Sequence, residues 1–318
     1  MPVQDDNTRP PLWQTLLAFA IIYLVWGSTF LAIRIAVENA PPLILAAMRF
    51  VGAGFAMFLW LLARGERLPA GREWMSVSVL AFLIFVIDYG TVFWSEQRVP
   101  SGLTAVMLGT IPAFMALSEI VFLRTQRLTM RLALALLVGF AGVAILVSRS
   151  LNLGGEPIDT KGAIALIIGA ASWSVSSAFA KKLPLPQSKA MSSASQMLVG
   201  GILLTAAAAS LGEFRGFQVT SISREAWIAL AYLIVFGSII AFTAYVWLIH
   251  HQSPTKVGTY AYVNPVIAVI LGYFFAGEPL SARAVLGSVF VLVSVVLITT
   301  SKKDKKPRPV TVTAQDAA

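Results

Sequence analysis

Apolar residues run in blocks of about twenty along this chain, and short polar connectors separate them. The hydrocarbon core of a bilayer is about 30 Å thick, so a spanning helix needs about 20 largely apolar residues. By that measure ten spans are expected, at residues 13–37, 42–63, 75–97, 101–123, 130–148, 162–181, 190–211, 226–249, 255–276 and 283–300. The connectors are too short to fold alone, so the pattern predicts an all-α polytopic membrane protein without a soluble domain. The first run is too long for a signal-peptide core and no small-residue cleavage pattern follows it, so it is expected to stay in the mature protein.

Composition agrees. The chain has 318 residues, 57% apolar and 12% charged, with a mean hydropathy of +0.78. Soluble chains carry about 45–50% apolar and about 25% charged residues, which excludes a cytosolic enzyme, a nucleic-acid binder and a secreted domain. The formal charge of +9 sits in the connectors and not on one surface, so it does not call for a nucleic-acid partner. There is no cysteine, and the two histidines, His250 and His251, are adjacent. Disulfides, thiol catalysis and Cys-ligated metals are therefore excluded, and no cofactor is expected. The chain also lacks a GxxxxGK[ST] loop, which argues against direct ATP coupling.

Lys and Arg in alternate connectors set the orientation. Sixteen lie at the N-terminus, in the even-numbered connectors and in the tail, against six in the odd-numbered connectors. Both termini are expected in the cytoplasm, as polar tails at 1–11 and 302–318. The tail's basic cluster, Lys302 to Arg308, reads as a topology determinant that can also touch anionic lipid.

The two halves repeat each other. Pro112 in the fourth span matches Pro265 in the ninth, and Leu128-Thr129 before the fifth matches Leu280-Ser281 before the tenth. Trp26 and Ser28 in the first span match Trp173 and Ser174 in the sixth, with Arg34 over Lys181. The unit, 12–149 and again 150–301, has five helices. Two consecutive odd units enter the membrane from opposite sides, so the repeats are inverted, a design that places a substrate site near the midplane at their interface.

The stretch WGSTFLAIR from Trp26 to Arg34, followed by Pro41-Pro42 and Arg49-Phe50, resembles the EamA family of the drug/metabolite transporter superfamily. AYVNPVIAVILGYFFAGEPL from Ala261 to Leu280, leading into Gly287, is similar to the end of that family's second repeat; Gly277-Glu278 there stands against Thr125-Gln126 in the first half. The resemblance spans about residues 13–300. It implies ten helices in a basket around a cavity, exporting small metabolites or toxic compounds.

Four charged side chains lie well inside the expected spans: Arg34, Arg49, Asp88 and Glu119. Intramembrane charges are functional candidates by default. Arg34, Arg49 and Asp88 fall at similar depth in the outer half and are expected to share a network, either a structural ion pairing or a proton- or anion-handling site. Glu119 reads as snorkelling toward Arg124 and Arg127. Six tryptophans fall at span ends, whereas Trp26 and Trp173 sit in mid-span at matching positions and are expected to line the substrate path or to pack between helices. Ser28, Tyr89, Ser176, Tyr245, Tyr260, Tyr262 and Asn264 add hydroxyl and amide groups on the same helices. Pro112 and Pro265 read as a paired hinge or as fixed kinks. The fifth and tenth spans carry small residues, Ala135, Gly139, Gly142, Gly287, Ser288 and Ser294, and read as scaffold or as a homodimer face.

The sequence thus predicts an inner-membrane secondary transporter, not an enzyme, exporting neutral, zwitterionic or aromatic solutes such as amino acids, by exchange or with protons as coupling ion. The alternative is an importer or exchanger of anionic metabolites held by Arg34 and Arg49, or, further off, a membrane enzyme.

Overall fold

The computed structural model describes residues 10–38, 40–123, 128–148, 158–251, 257 and 260–299. Residues 1–9 and 300–318, Arg124 and Arg127 with Thr125-Gln126 between them, and the side chain of Tyr262 lie outside what is described. Among the described residues the regular structure is entirely helical.

Seven helices are long and apolar enough to cross a membrane: α1 Leu12–Val37, α2 Pro42–Ala63, α3 Gly71–Glu96, α4 Ser101–Leu123, α6 Thr160–Ala180, α7 Lys189–Ser210 and α8, which crosses over Arg224–Tyr245 and continues to His251. Three shorter apolar helices are α5 Met130–Val147, α9 Tyr260–Ala276 and α10 Ala282–Thr299. Helix starts are marked by short polar side chains that take up a free amide of the first turn. Asp159 accepts from Gly162 at 2.7 Å, Ser188 from Met191 at 3.2 Å and Ser223 from Ala226 at 3.1 Å. Thr129 and Ser281, which the sequence aligns, cap α5 and α10 alike, accepting from Leu132 at 3.3 Å and Ala284 at 3.2 Å.

Packing follows a regular scheme. α2 lies along α7, α5 along α10 and α4 against α9; α1 packs on α8 and α9, and α6 on α3 and α4. Glycines permit the two longest seams. A β-carbon on Gly54 would stand 2.4 Å from the Leu198 backbone nitrogen, so α2 and α7 meet backbone to backbone. On the α5–α10 seam Gly142 faces the Gly287 carbonyl, and Ser294 donates to the Ala135 carbonyl at 2.7 Å. Ala135, Gly139, Gly142, Gly287 and Ser294 thus lie on the seam between these two helices.

Outward faces carry large apolar side chains such as Leu24, Phe55, Leu137, Ile202 and Phe274, all exposed. In water such a surface would be untenable; in lipid it is the expected exterior.

Candidate functional site

Two helices change pitch midway. α3 is a π-helix over Phe82–Tyr89 and α8 over Leu233–Ile240. A π turn bonds i to i+5, widens the helix and turns carbonyls toward neighbours, a feature frequent at functional sites. Each segment here accepts from an adjacent helix: Ser172 of α6 donates to the Leu83 carbonyl at 2.7 Å, and the Trp26 indole of α1 donates to the Gly237 carbonyl at 3.2 Å. Gly237 cannot be larger without crowding, since a β-carbon would stand 3.0 Å from Thr29 Cγ2 and 3.3 Å from Arg49 Nη2.

Around these segments lie two aromatic groups. In the first, Trp26 meets Tyr245 and Tyr260 at 5.2 Å each, and the two tyrosines stand 6.2 Å apart. Ser28 shares a 2.6 Å hydrogen bond with the Tyr232 hydroxyl, so that bond and the Trp26 bond both tie α1 to α8. Asn264 is buried beneath, its amide nitrogen placed to donate to the Tyr23 and Tyr260 carbonyls at 3.3 Å. In the second group Tyr89 packs on Phe50 at 4.6 Å, stacks with Phe85 at 5.8 Å and meets the edge of Trp173 at 6.2 Å. Ser176, one turn on in α6, is fully buried with its hydroxyl unpartnered among the described residues. The expected path residues thus fall on α1, α8 and α9 on one side and on α3 and α6 on the other.

The charged residues do not form the shared network expected from depth. Among the described residues neither arginine lies within ion-pair distance of Asp88. Arg34 pairs with Glu38 at 3.6 Å and donates to the Glu96 carbonyl. Asp88 is 4% exposed; it points toward Gly169 of α6, whose β-carbon would stand 3.1 Å from Oδ1, and that oxygen has no hydrogen-bond partner among the described residues. Arg34 lies level with Glu96, eight residues beyond Asp88 on α3, and Arg49 faces Tyr89 whereas Asp88, the residue before it, faces α6.

Arg49 is 2% exposed. Its Nε donates to Ser238 at 3.1 Å, and its guanidinium lies 4.8 Å from the centre of the Phe50 ring and 5.3 Å from that of Tyr89. Nη1 is buried without an acceptor among the described residues. A cation–π contact contributes about 0.5–2 kcal/mol, whereas withdrawing an ion from water without a counter-charge costs several kcal/mol. The rings and one hydroxyl therefore offset only part of the cost.

Two acidic residues, Glu96 and Glu213, escape a sequence reading, and a third, Glu278, enters it only as part of the repeat motif. Glu96, at the end of α3, is fully buried with both carboxylate oxygens unpartnered among the described residues. Glu278 accepts from the Ser101 and Gly102 amides at 2.6 and 3.0 Å, holding the start of α4. Glu213 does the same for α2, accepting from Leu43 and Ile44 at 3.0 Å each. For Glu96 and Glu213 a position at a span end is the only signal in the sequence, and span ends are where charges are commonplace. Glu119 pairs with Lys181 at 3.2 Å.

The aligned prolines have unlike surroundings. α4 breaks at Gly109-Thr110 and Pro112 sits in the first turn of its second part, Ile111–Ser118, where a missing amide costs nothing. Pro265 lies inside the continuous α9.

A lipid-facing exterior around an interior of rings, hydroxyls and a few unneutralised charges is the arrangement expected of a membrane transporter. Comparison with known proteins agrees: the model of the EamA-like transporter family matches residues 13–148 and again 160–300, and the chain belongs to that family. It is 38% identical to the Escherichia coli K12 protein described as the uncharacterized inner membrane transporter YedA, over 94% of each chain. It is 25% identical to the uncharacterized transporter YvbV of Bacillus subtilis 168, over 93% of this chain and 95% of that one. A solved crystal structure at 22% identity superposes with a TM-score of 0.60, covering 92% of this chain and 98% of its own, a likeness of fold.

Proposed function

We propose that the protein is an inner-membrane secondary transporter that exports small neutral, zwitterionic or aromatic solutes by alternating access, with units 12–149 and 150–301 as inverted repeats and all ten apolar helices crossing the bilayer. The three shorter helices, 17 or 18 residues long, rise about 26 Å at about 1.5 Å per residue, within the range that spans a bilayer. The packing scheme supports a two-fold exchange of each helix with the one five places on. The pairs α2–α7, α5–α10 and α4–α9 map onto themselves, and α1 on α8 and α9 maps onto α6 on α3 and α4. The two family matches and the π segments of α3 and α8 fit the same exchange.

The observation that carries the reading is the pairing of Trp26 and Trp173 on helices α1 and α6, each set in an aromatic group beside a π segment. Inverted repeats bind substrate between such matched helices and open to either side by rocking. Aromatic walls with hydroxyls suit solutes with a flat or apolar body. Protons are the proposed coupling ion, with the buried Asp88 as the carrier, and both termini face the cytoplasm.

Purified protein in proteoliposomes, given a panel of amino acids and aromatic solutes with and without a pH gradient, tests substrate and coupling. Flux no faster than through empty vesicles rejects the reading. For orientation, tags at residues 5 and 310 are expected to be protected in intact cells, while a cysteine placed at 156 in this cysteine-free chain is expected to react from outside; exposure of either tag overturns the inversion.

A further inference from the structure

We propose that Arg49 is the anchor for an oxyanion on the transported solute, which makes the preferred ligand a small organic monoanion, a carboxylate on an apolar or aromatic body. The inference rests on the transport reading and, among its substrates, selects apolar or aromatic bodies that carry a carboxylate in place of the neutral and zwitterionic solutes. Arg49 is a permanent cation inside the bundle, 2% exposed, and among the described residues no carboxylate lies within 4 Å of it. Asp88, the acid that depth suggested, points instead toward Gly169. The guanidinium is held in place by Ser238 at Nε and by the Phe50 and Tyr89 rings, yet Nη1 is buried with no acceptor among the described residues. Beside Nη2 the wall is a glycine, Gly237, so no side chain there competes for the donors.

A carboxylate meets this arrangement on two counts. It neutralises the charge, and its two oxygens match the guanidinium fork. A cation would be repelled, and a neutral amide would leave the charge unmet. A single guanidinium balances one negative charge, which favours monoanions over dianions, because Arg34 is engaged by Glu38 and the Glu96 carbonyl. Tyr89 continues from Arg49 to the edge of Trp173, a surface for the body of the solute.

The test compares 3-phenylpropionate with its primary amide, and with chloride at equal ionic strength, by ligand-induced thermal stabilisation of the detergent-purified protein and by flux into proteoliposomes. The acid is expected to bind at least about tenfold more tightly than the amide, Arg49→Lys to keep a reduced acid preference, and Arg49→Gln to bring the ratio near one. Arg67→Gln, which removes an exposed partner of Glu73, is expected to leave the ratio unchanged. Equal binding of acid and amide by the unaltered protein overturns the proposal, as does chloride acting as well as the carboxylate, or an acid preference that survives Arg49→Gln. Absence of binding by 3-phenylpropionate, benzoate and acetate alike overturns it too. Should the Gln variant not fold, the acid-to-amide ratio of the unaltered protein and of Arg49→Lys decides. Solutes that cross without acid preference refute the anchor and leave transport standing; acid-selective binding without any flux does the reverse.

Discussion

Trp26→Phe removes one hydrogen-bond donor and keeps an aromatic ring. In the structure that donor serves the Gly237 carbonyl at 3.2 Å, and both tyrosine contacts, at 5.2 Å, involve the ring system. Polar contacts between membrane helices average about 0.6 kcal/mol and reach about 1.7, so Trp26→Phe is expected to cost about 1 kcal/mol. Trp26→Ala also loses two ring contacts of about 0.5–1.5 kcal/mol each and leaves a cavity, for a total of about 3 kcal/mol. Trp173 is the internal control: its ring meets Tyr89 at 6.2 Å and its indole nitrogen donates no hydrogen bond among the described residues. Trp173→Phe is therefore expected to be nearly neutral for stability. Unfolding in mixed micelles gives the free energies, and flux in proteoliposomes gives function, which both alanine variants are expected to impair. Equal stability losses for the two phenylalanine variants would refute the claim that the Trp26 bond holds α1 to the π segment of α8.

Asp88→Asn and Arg49→Gln occupy separate surroundings, so the double variant is expected to show no recovery of stability over Asp88→Asn alone; a restoration of 1 kcal/mol or more, about the size of one buried hydrogen bond, would reinstate the ion network. Gly54→Ala drives a methyl into the Leu198 backbone and is expected to cost at least about 1–3 kcal/mol, the overpacking range, whereas Gly71→Ala, with nothing within 4 Å, is expected to be neutral in the same unfolding assay. Glu213 lies outside the spanning segments, and burial raises its pKa above the ordinary carboxylate range despite the Leu43 and Ile44 amides. For an acid with a raised folded-state pKa, the stabilisation is present below the unfolded pKa and fades as pH rises through the folded one. The stability of the native chain relative to Glu213→Gln is expected to grow on acidification through that window; an unchanged difference across the titration contradicts this.

Helix placement was legible because lipid imposes length and apolarity on every span, and the residues that break the rule stand out: Trp26, Trp173, Arg49 and Asp88 were visible as such in the sequence. What they touch was not. Depth along a helix can be counted from residue numbers, but direction around the axis depends on pitch, and Asp88 sits in a π segment that no composition marks. The same holds for Gly237, an ordinary glycine in sequence whose carbonyl and open face position Trp26 and Arg49. The aligned prolines read as a paired hinge or as fixed kinks, and their settings differ: the break at Gly109-Thr110 makes Pro112 a first-turn residue while Pro265 stays inside a helix. Glu96 was hidden by lying at a boundary, where a carboxylate is ordinarily solvated.

Counterflow tests the central claim most directly. Proteoliposomes preloaded with an unlabelled panel solute are given a trace of the same labelled solute outside. A carrier that exposes one site alternately to each side predicts a transient overshoot of label inside, saturable with concentration and diminished by Trp26→Ala. Label that only equilibrates, at a rate linear in concentration and indifferent to preloading, for every solute tested, would contradict the account.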